Sequence, residues 1–190
     1  QNVGGWQGTL AQVTIEGRDL LRHMTYNGTG GNTAAAVDTD TFRLTQAEKH
    51  TSGSAMSNIL IDLKENFELK FNARFSNRPN DQFGADGIAF VLHKDPRGLH
   101  ATGSTGKGIG AQGIEKGLAV EFDTYWNQGE DENGYRDHTS VWDTDESDPA
   151  TKYLNVQSGA SSAYIQTLPD LEDGQWHAVT MSWNTANKTL

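Results

Sequence analysis

The chain has 190 residues, 35% hydrophobic and 21% charged, with 21 glycines and no cysteine. That suits one loop-rich domain with a core of its own and rules out disulfides and thiolate metal sites. A formal net charge of −10 and a pI of about 4.9 give no general attraction for nucleic acid or anionic membrane and favour cations or neutral ligands.

The first residue is Gln1, and no signal-peptide pattern follows, as expected of a mature or excised piece. No apolar run approaches the roughly 18 residues of a bilayer span, so no membrane insertion is expected. Absence of cysteine fits an exported bacterial protein, and the expected location is extracellular or at the cell surface. Asn27-Gly28-Thr29 and Asn187-Lys188-Thr189 fit the glycosylation acceptor pattern, a triplet that also arises by chance.

Helical signal is scarce: "GRDLLRHM" (17–24) has room for one or two turns. Weak strands are expected at 40–46 ("DTFRLTQ") and 53–60 ("GSAMSNIL"). "NFELKFNARF" then alternates strictly, Phe67, Leu69, Phe71, Ala73 and Phe75 against Glu68, Lys70, Asn72 and Arg74, which is a half-buried antiparallel strand. "DGIAFVLH" (86–93) and "KGLAVEFDTY" (116–125) are more continuously apolar, as strands covered on both faces are. Phe67, Leu69, Phe71, Ile88, Phe90, Leu118, Val120 and Phe122 are the expected core.

Two long irregular stretches, 94–117 and 127–137, flank the second of those strands, and structureless loops of such length are usually functional. "GQWHAVTMSW" (174–183) alternates again, "NTANK" reads as a turn, and Thr189-Leu190 begin a return strand. The expectation is one all-β domain over 1–190, with its site on loops and its C-terminal strands missing; a sheet edge left bare there needs a cover.

Glu121 and Asp123 lie two apart in an apolar strand, hence on one face. Side-by-side carboxylates repel and resist burial. Tyr125, Asn127, Asp131, Asp137 and His138 follow, a rapid succession of oxygen donors with one imidazole. Calcium takes six to eight such oxygens, and the imidazole with a second carboxylate suits a transition ion such as Mn²⁺. A solvated acidic loop is the bland reading of "GEDENG", but it does not cover Glu121 and Asp123 inside the strand.

Catalysis is the rival reading. A retaining glycosidase wants carboxyls about 5–5.5 Å apart, and same-face strand neighbours lie roughly 6–7 Å apart. Laminarinase-type β-glucanases add a Glu two or three positions on; here those positions hold Tyr125 and Trp126. His23, His50, His93 and His100 are scattered, and no Gly-x-Ser-x-Gly elbow exists. The Gly103–Gly113 run lacks the Gly-Lys-Ser/Thr ending of a phosphate loop, yet lets backbone N–H groups approach a ligand.

"ADGIAFVLH", a Gly-rich loop, "GLAVEFDTYWN…DH" and "DGQWHAVTMSW" in this order resemble the legume-type (L-type) lectins, and "VLHKDPRGLHATGSTGKGIG" resembles their bacterial adhesin branch. "FRLTQAEKHTSGSAMSN" and "NFELKFNARF" are similar to the family's early strands, so the resemblance runs from about Phe42 onward. It implies a concanavalin-like jelly-roll sandwich of two antiparallel sheets, and a non-enzymatic lectin that binds cell-surface or polysaccharide glycans.

By the same resemblance, Glu121, Asp123 and His138 match ligands of a transition-metal site. Asp123, the Tyr125 carbonyl and Asn127 match a calcium site, and Asp131 or Asp137 supplies the ligand shared between the two. Asp86, after a cis peptide bond, Gly106 or its neighbours, Tyr125 and Asn127 match the sugar site. There calcium holds the loop rather than the sugar. Family members continue for several strands beyond "WHAVTMSW", and one later loop shapes sugar preference. Two alternatives stay open: a glycan hydrolase on the same sandwich, and an adhesin module that binds protein.

Overall fold

A computed structural model describes residues 7–75, 84–127, 137–146, 157–158, 161–162 and 165–190. In chain order its strands are β1 (Gly8–Ile15), β2 (Arg18–Asp19), β3 (Met24–Thr29), β4 (Ala35–Ala36), β5 (Thr41–Arg43), β6 (Ser52–Ser57), β7 (Phe67–Phe75), β8 (Gly87–His93), β9 (Gly117–Asp123), β10 (His138–Asp143), β11 (Gln157–Ser158), β12 (Ser161–Ser162), β13 (Ile165–Thr167) and β14 (Trp176–Trp183). Helical structure among the described residues is confined to 3₁₀ turns at Leu21–His23, Gly98–His100 and Gly106–Gly108, and no helix there is long and apolar enough to cross a membrane. The fold is all-β, as the alternating sequence requires.

One sheet runs β14-β7-β1-β5-β4 with β2 beside β1; the other runs β13-β10-β9-β8; β3 pairs with β6, and β11 with β12. Every pairing is antiparallel. Strand β7 buries Phe67, Leu69, Phe71, Ala73 and Phe75 and leaves the residues between them more exposed, the half-buried pattern its period predicts. Beside it, β14 runs in unbroken register from Trp176↔Arg74 to Trp183↔Phe67. The expected turn after it closes with Asn184 and Thr189 bridged by two backbone hydrogen bonds of 2.8 and 3.2 Å.

Strand β1 lies between β7 and β5, so ordered structure begins well before Phe42, where the lectin-like pattern of the sequence starts. A register shift between Ala11 and Thr14, with Gln12 at φ 54°, breaks its alternation. Such a bulge resets which side chains face inward, and hides the strand from a period-two reading.

Pairing fixes the two faces of the second sheet. Ile88 lies opposite Phe122 and Phe90 opposite Val120; this face joins β7, Phe42, Leu171 and Met181 in the core. Phe71 and Phe122 meet edge-on across the layers, with ring centroids 6.3 Å apart. Phe67, Leu69, Phe71, Ile88 and Val120 are buried, whereas Phe90, Leu118 and Phe122 are only half-buried. A cavity of about 1470 Å³, lined among others by Leu10, Val13, Phe71, Phe90, Leu92 and Leu118, leaves Phe90 and Leu118 partly uncovered.

Candidate metal and ligand site

The other face of the second sheet carries the polar chemistry. Asp123 lies opposite His138 and Gly87, Glu121 opposite Ser140 and Ala89, and Ala119 opposite Trp142 and Val91. Side chains two apart along a strand share a face, so Glu121, Asp123, His138, Ser140 and Trp142 all project to one side. They are deeply buried: Glu121 is 2% exposed, Asp123 3% and His138 0%. The Gly-rich loop contributes to this cover through Ala111, which packs with Ala119 and Trp142.

Glu121 is held from both sides. Ser140 Oγ donates to Oε1 and the Trp142 indole N–H donates to Oε2 at 2.8 Å, while His138 Nε2 lies 3.7 Å from Oε1. Donors aimed at a buried carboxylate offset much of its desolvation. Ser140 and Trp142 were absent from the residues the sequence singled out. They follow His138 at steps of two, and that phase was the available signal.

At the exit of β9 the chain curls around Asp123. Its Oδ1 accepts the Tyr125 N–H at 2.6 Å, and the Asn127 amide N–H reaches the Tyr125 carbonyl at 3.5 Å. A carboxylate, a backbone carbonyl and a side-chain amide thus converge within five residues, which is the donor chemistry of a hard cation. Glu121 and His138 behind them add the imidazole and carboxylate that suit a transition ion. By donor type the outer group suits calcium and the inner group a second metal, while among the described residues the carboxylates whose ligand atoms lie within 4.8 Å of one another are Asp137, Asp170 and Glu172.

Asp86 abuts the same strand end. The Ala85–Asp86 peptide bond is cis, and the Asp86 carbonyl accepts the Thr124 N–H at 2.8 Å. Gly87 follows, opposite Asp123, where a Cβ would come within 2.5 Å of the Phe122 carbonyl oxygen; only glycine lets the strands approach there. Asp86, Gly106 and Tyr125 are all among the residues lining the large cavity, which takes in both faces of β8. Gly106 has φ +66°, which favours glycine, and its Cα faces open space.

Asp137 is placed elsewhere. It precedes His138 by one residue, so its side chain belongs to the opposite face, where its Oδ2 accepts the Leu171 N–H at 2.6 Å. Its carboxylate lies with those of Asp170 and Glu172, ligand-capable oxygens all within 4.8 Å. Asp137 thereby braces the 168–172 turn, its carbonyl also accepting the Leu168 N–H at 2.8 Å. Asp131 lies outside the described residues. Asn27, in the first glycosylation triplet, is also engaged: its amide donates to the Leu99 carbonyl at 2.8 Å.

Residues 15–190 match the family described as the legume lectin beta-barrel domain. The chain is similar to the pesticidal crystal protein Cry22Aa of Bacillus thuringiensis, with 28% identity over 171 residues. The match takes in 85% of this chain and 23% of that protein, so the chain spans about a quarter of its relative.

Proposed function

The chain belongs to the L-type lectin domain family, and from that premise we propose that it is a calcium-dependent glycan-binding module of an exported bacterial surface protein or adhesin. The observation that carries this reading is the strand exit itself: the Asp86 carbonyl accepts the Thr124 N–H, and Asp123 accepts the Tyr125 N–H beside it, with Asp86, Gly106 and Tyr125 all lining the large cavity. Asp86 accepts from sugar hydroxyls, a loop N–H and Asn127 donate, and the Tyr125 ring packs on the sugar's apolar face. Calcium, when bound to Asp123, the Tyr125 carbonyl and Asn127, fixes the strand exit that presents these groups.

The hydrolase alternative asks Glu121 to reach a glycosidic bond. Its burial, with a donor on each oxygen, weighs against a role as exposed acid or nucleophile. A protein-binding module is the remaining alternative. A glycan array probed in calcium and again after chelation separates the three. Binding lost on chelation supports the lectin, turnover of a β-glucan supports the hydrolase, and silence in both conditions favours the protein-binding module.

A further inference from the structure

Arg97 closes the neck of the Gly-rich loop. One of its terminal amino groups donates to the Thr102 carbonyl at 3.0 Å and the other to the Gly113 carbonyl at 2.9 Å. Those carbonyls stand at the entry and exit of 103–112, the segment that contains Gly106. The guanidinium is itself fixed by Asp95: Nε donates to Oδ1 at 2.9 Å and a terminal nitrogen to Oδ2 at 2.5 Å. Asp95 Oδ2 also accepts the Glu115 N–H at 2.8 Å, just past the loop. The Asp95 side chain is fully buried.

A planar fork with several donors can bridge two carbonyls and a carboxylate at once, and a lysine ammonium cannot do so in the same geometry. Within the neck the loop is cross-tied, Gly103 N to Gly110 O at 2.8 Å and Ser104 N to Gln112 O at 2.9 Å. Beyond it, the Gly113 N–H reaches Thr144 O at 2.8 Å, docking the loop stem beside β10. The loop is thus tethered to the sheet while Gly106 stays on the cavity.

We propose that Arg97, held by Asp95, is a positioning residue for glycan binding: it sets the entry and exit of the Gly-rich loop so that the Gly106 segment faces the ligand. This rests on the lectin reading above. Arg97 touches neither the ligand groups nor the metal donors, so its loss loosens one wall of the site and spares the ion.

Amide hydrogen exchange and sugar titration on Arg97→Ala and Arg97→Lys test this. The probes are methyl α-mannoside, methyl β-galactoside, methyl β-glucoside and N-acetylglucosamine, in saturating calcium. Arg97→Ala should speed exchange at 103–112 while β7 amides keep their protection, and weaken the sugar that the parent binds by about tenfold, as loss of an orienting partner does. Methylguanidinium added to Arg97→Ala should restore both, which no general loss of stability would allow. Arg97→Lys keeps a charge beside Asp95, so it serves if the alanine variant does not fold, and should fall between the two. Unchanged exchange at 103–112, or parent-like sugar affinity in both variants, overturns the positioning role and leaves the lectin reading standing. A parent that binds none of these sugars and no glycan on the array overturns the lectin reading, and the role of Arg97 falls with it.

Discussion

The Trp142 indole N–H donates to Glu121 Oε2 at 2.8 Å, and both residues are buried behind the strand exit. Glu121 is therefore held by a donor of the chain itself. A second donor, Ser140, engages its other oxygen. Trp142→Phe keeps most of the packing and removes the donor. It should cost ~3 kcal/mol, since a buried charged acceptor loses a partner, and lower the melting temperature by about 6–12 °C. Scanning calorimetry checks this, and an unchanged melting temperature would mean that Glu121 draws no support from the indole.

Calcium should stabilise the fold by mass action. An ion bound only by the folded state adds about 2.7 kcal/mol at a hundredfold excess over its Kd. Melting curves of metal-stripped protein, with and without added calcium, should therefore differ by about 5–10 °C. Asp123→Asn should abolish that difference. Identical curves for the stripped and loaded parent count against the site.

Asn127 and Asp86 should separate folding from recognition. On the proposed reading, in which its amide serves the ion and the sugar together, Asn127→Ala should lose both calcium and glycan. Asp86→Ala should keep most of the calcium affinity and lose ~1.5–3 kcal/mol of glycan binding, around ten- to a hundredfold. Glycan titration and a calcium melt on each variant provide the readout. Parent-like glycan binding by Asp86→Ala would move the sugar site elsewhere.

The Asp95 clasp should persist into acid. The Arg97 guanidinium, with the Glu115 and Arg97 backbone N–H groups, holds the Asp95 carboxyl well below the usual carboxylate range. A carboxyl whose folded pKa is depressed contributes stability above its unfolded pKa, and loses it as pH falls toward the folded value. The stability gap between parent and Asp95→Asn should then stay constant from about pH 7 to pH 5 and shrink only below about pH 4, the unfolded value. Urea melts across that range report it; a gap that closes near pH 6 would assign the effect to another group.

Legibility in the sequence followed the regularity of each element. Strand β7 was readable because its alternation is unbroken, and β14 because its eight residues keep one phase against β7. Strand β1 was not, since the bulge at Gln12 shifts the phase halfway along. In the site, counting in twos placed Glu121 and Asp123 on one face, whereas His138 was grouped with them only by the resemblance; the β9–β10 register sets it opposite Asp123. The same count, carried one residue back, turns Asp137 away from them and toward Leu171. The Arg97 bridge between Thr102 and Gly113 depends on how an irregular loop folds back, and periodicity carries no signal for it.

The measurement that bears most directly on calcium-supported recognition is an anomalous difference map from crystals grown in calcium, repeated with manganese. A calcium peak is predicted among the Asp123 carboxylate, the Tyr125 carbonyl and the Asn127 side-chain oxygen, at ligand distances of roughly 2.3–2.6 Å, and a manganese peak, if a second ion binds, beside Glu121 and His138. No peak at Asp123, or one only among Asp137, Asp170 and Glu172, would contradict it.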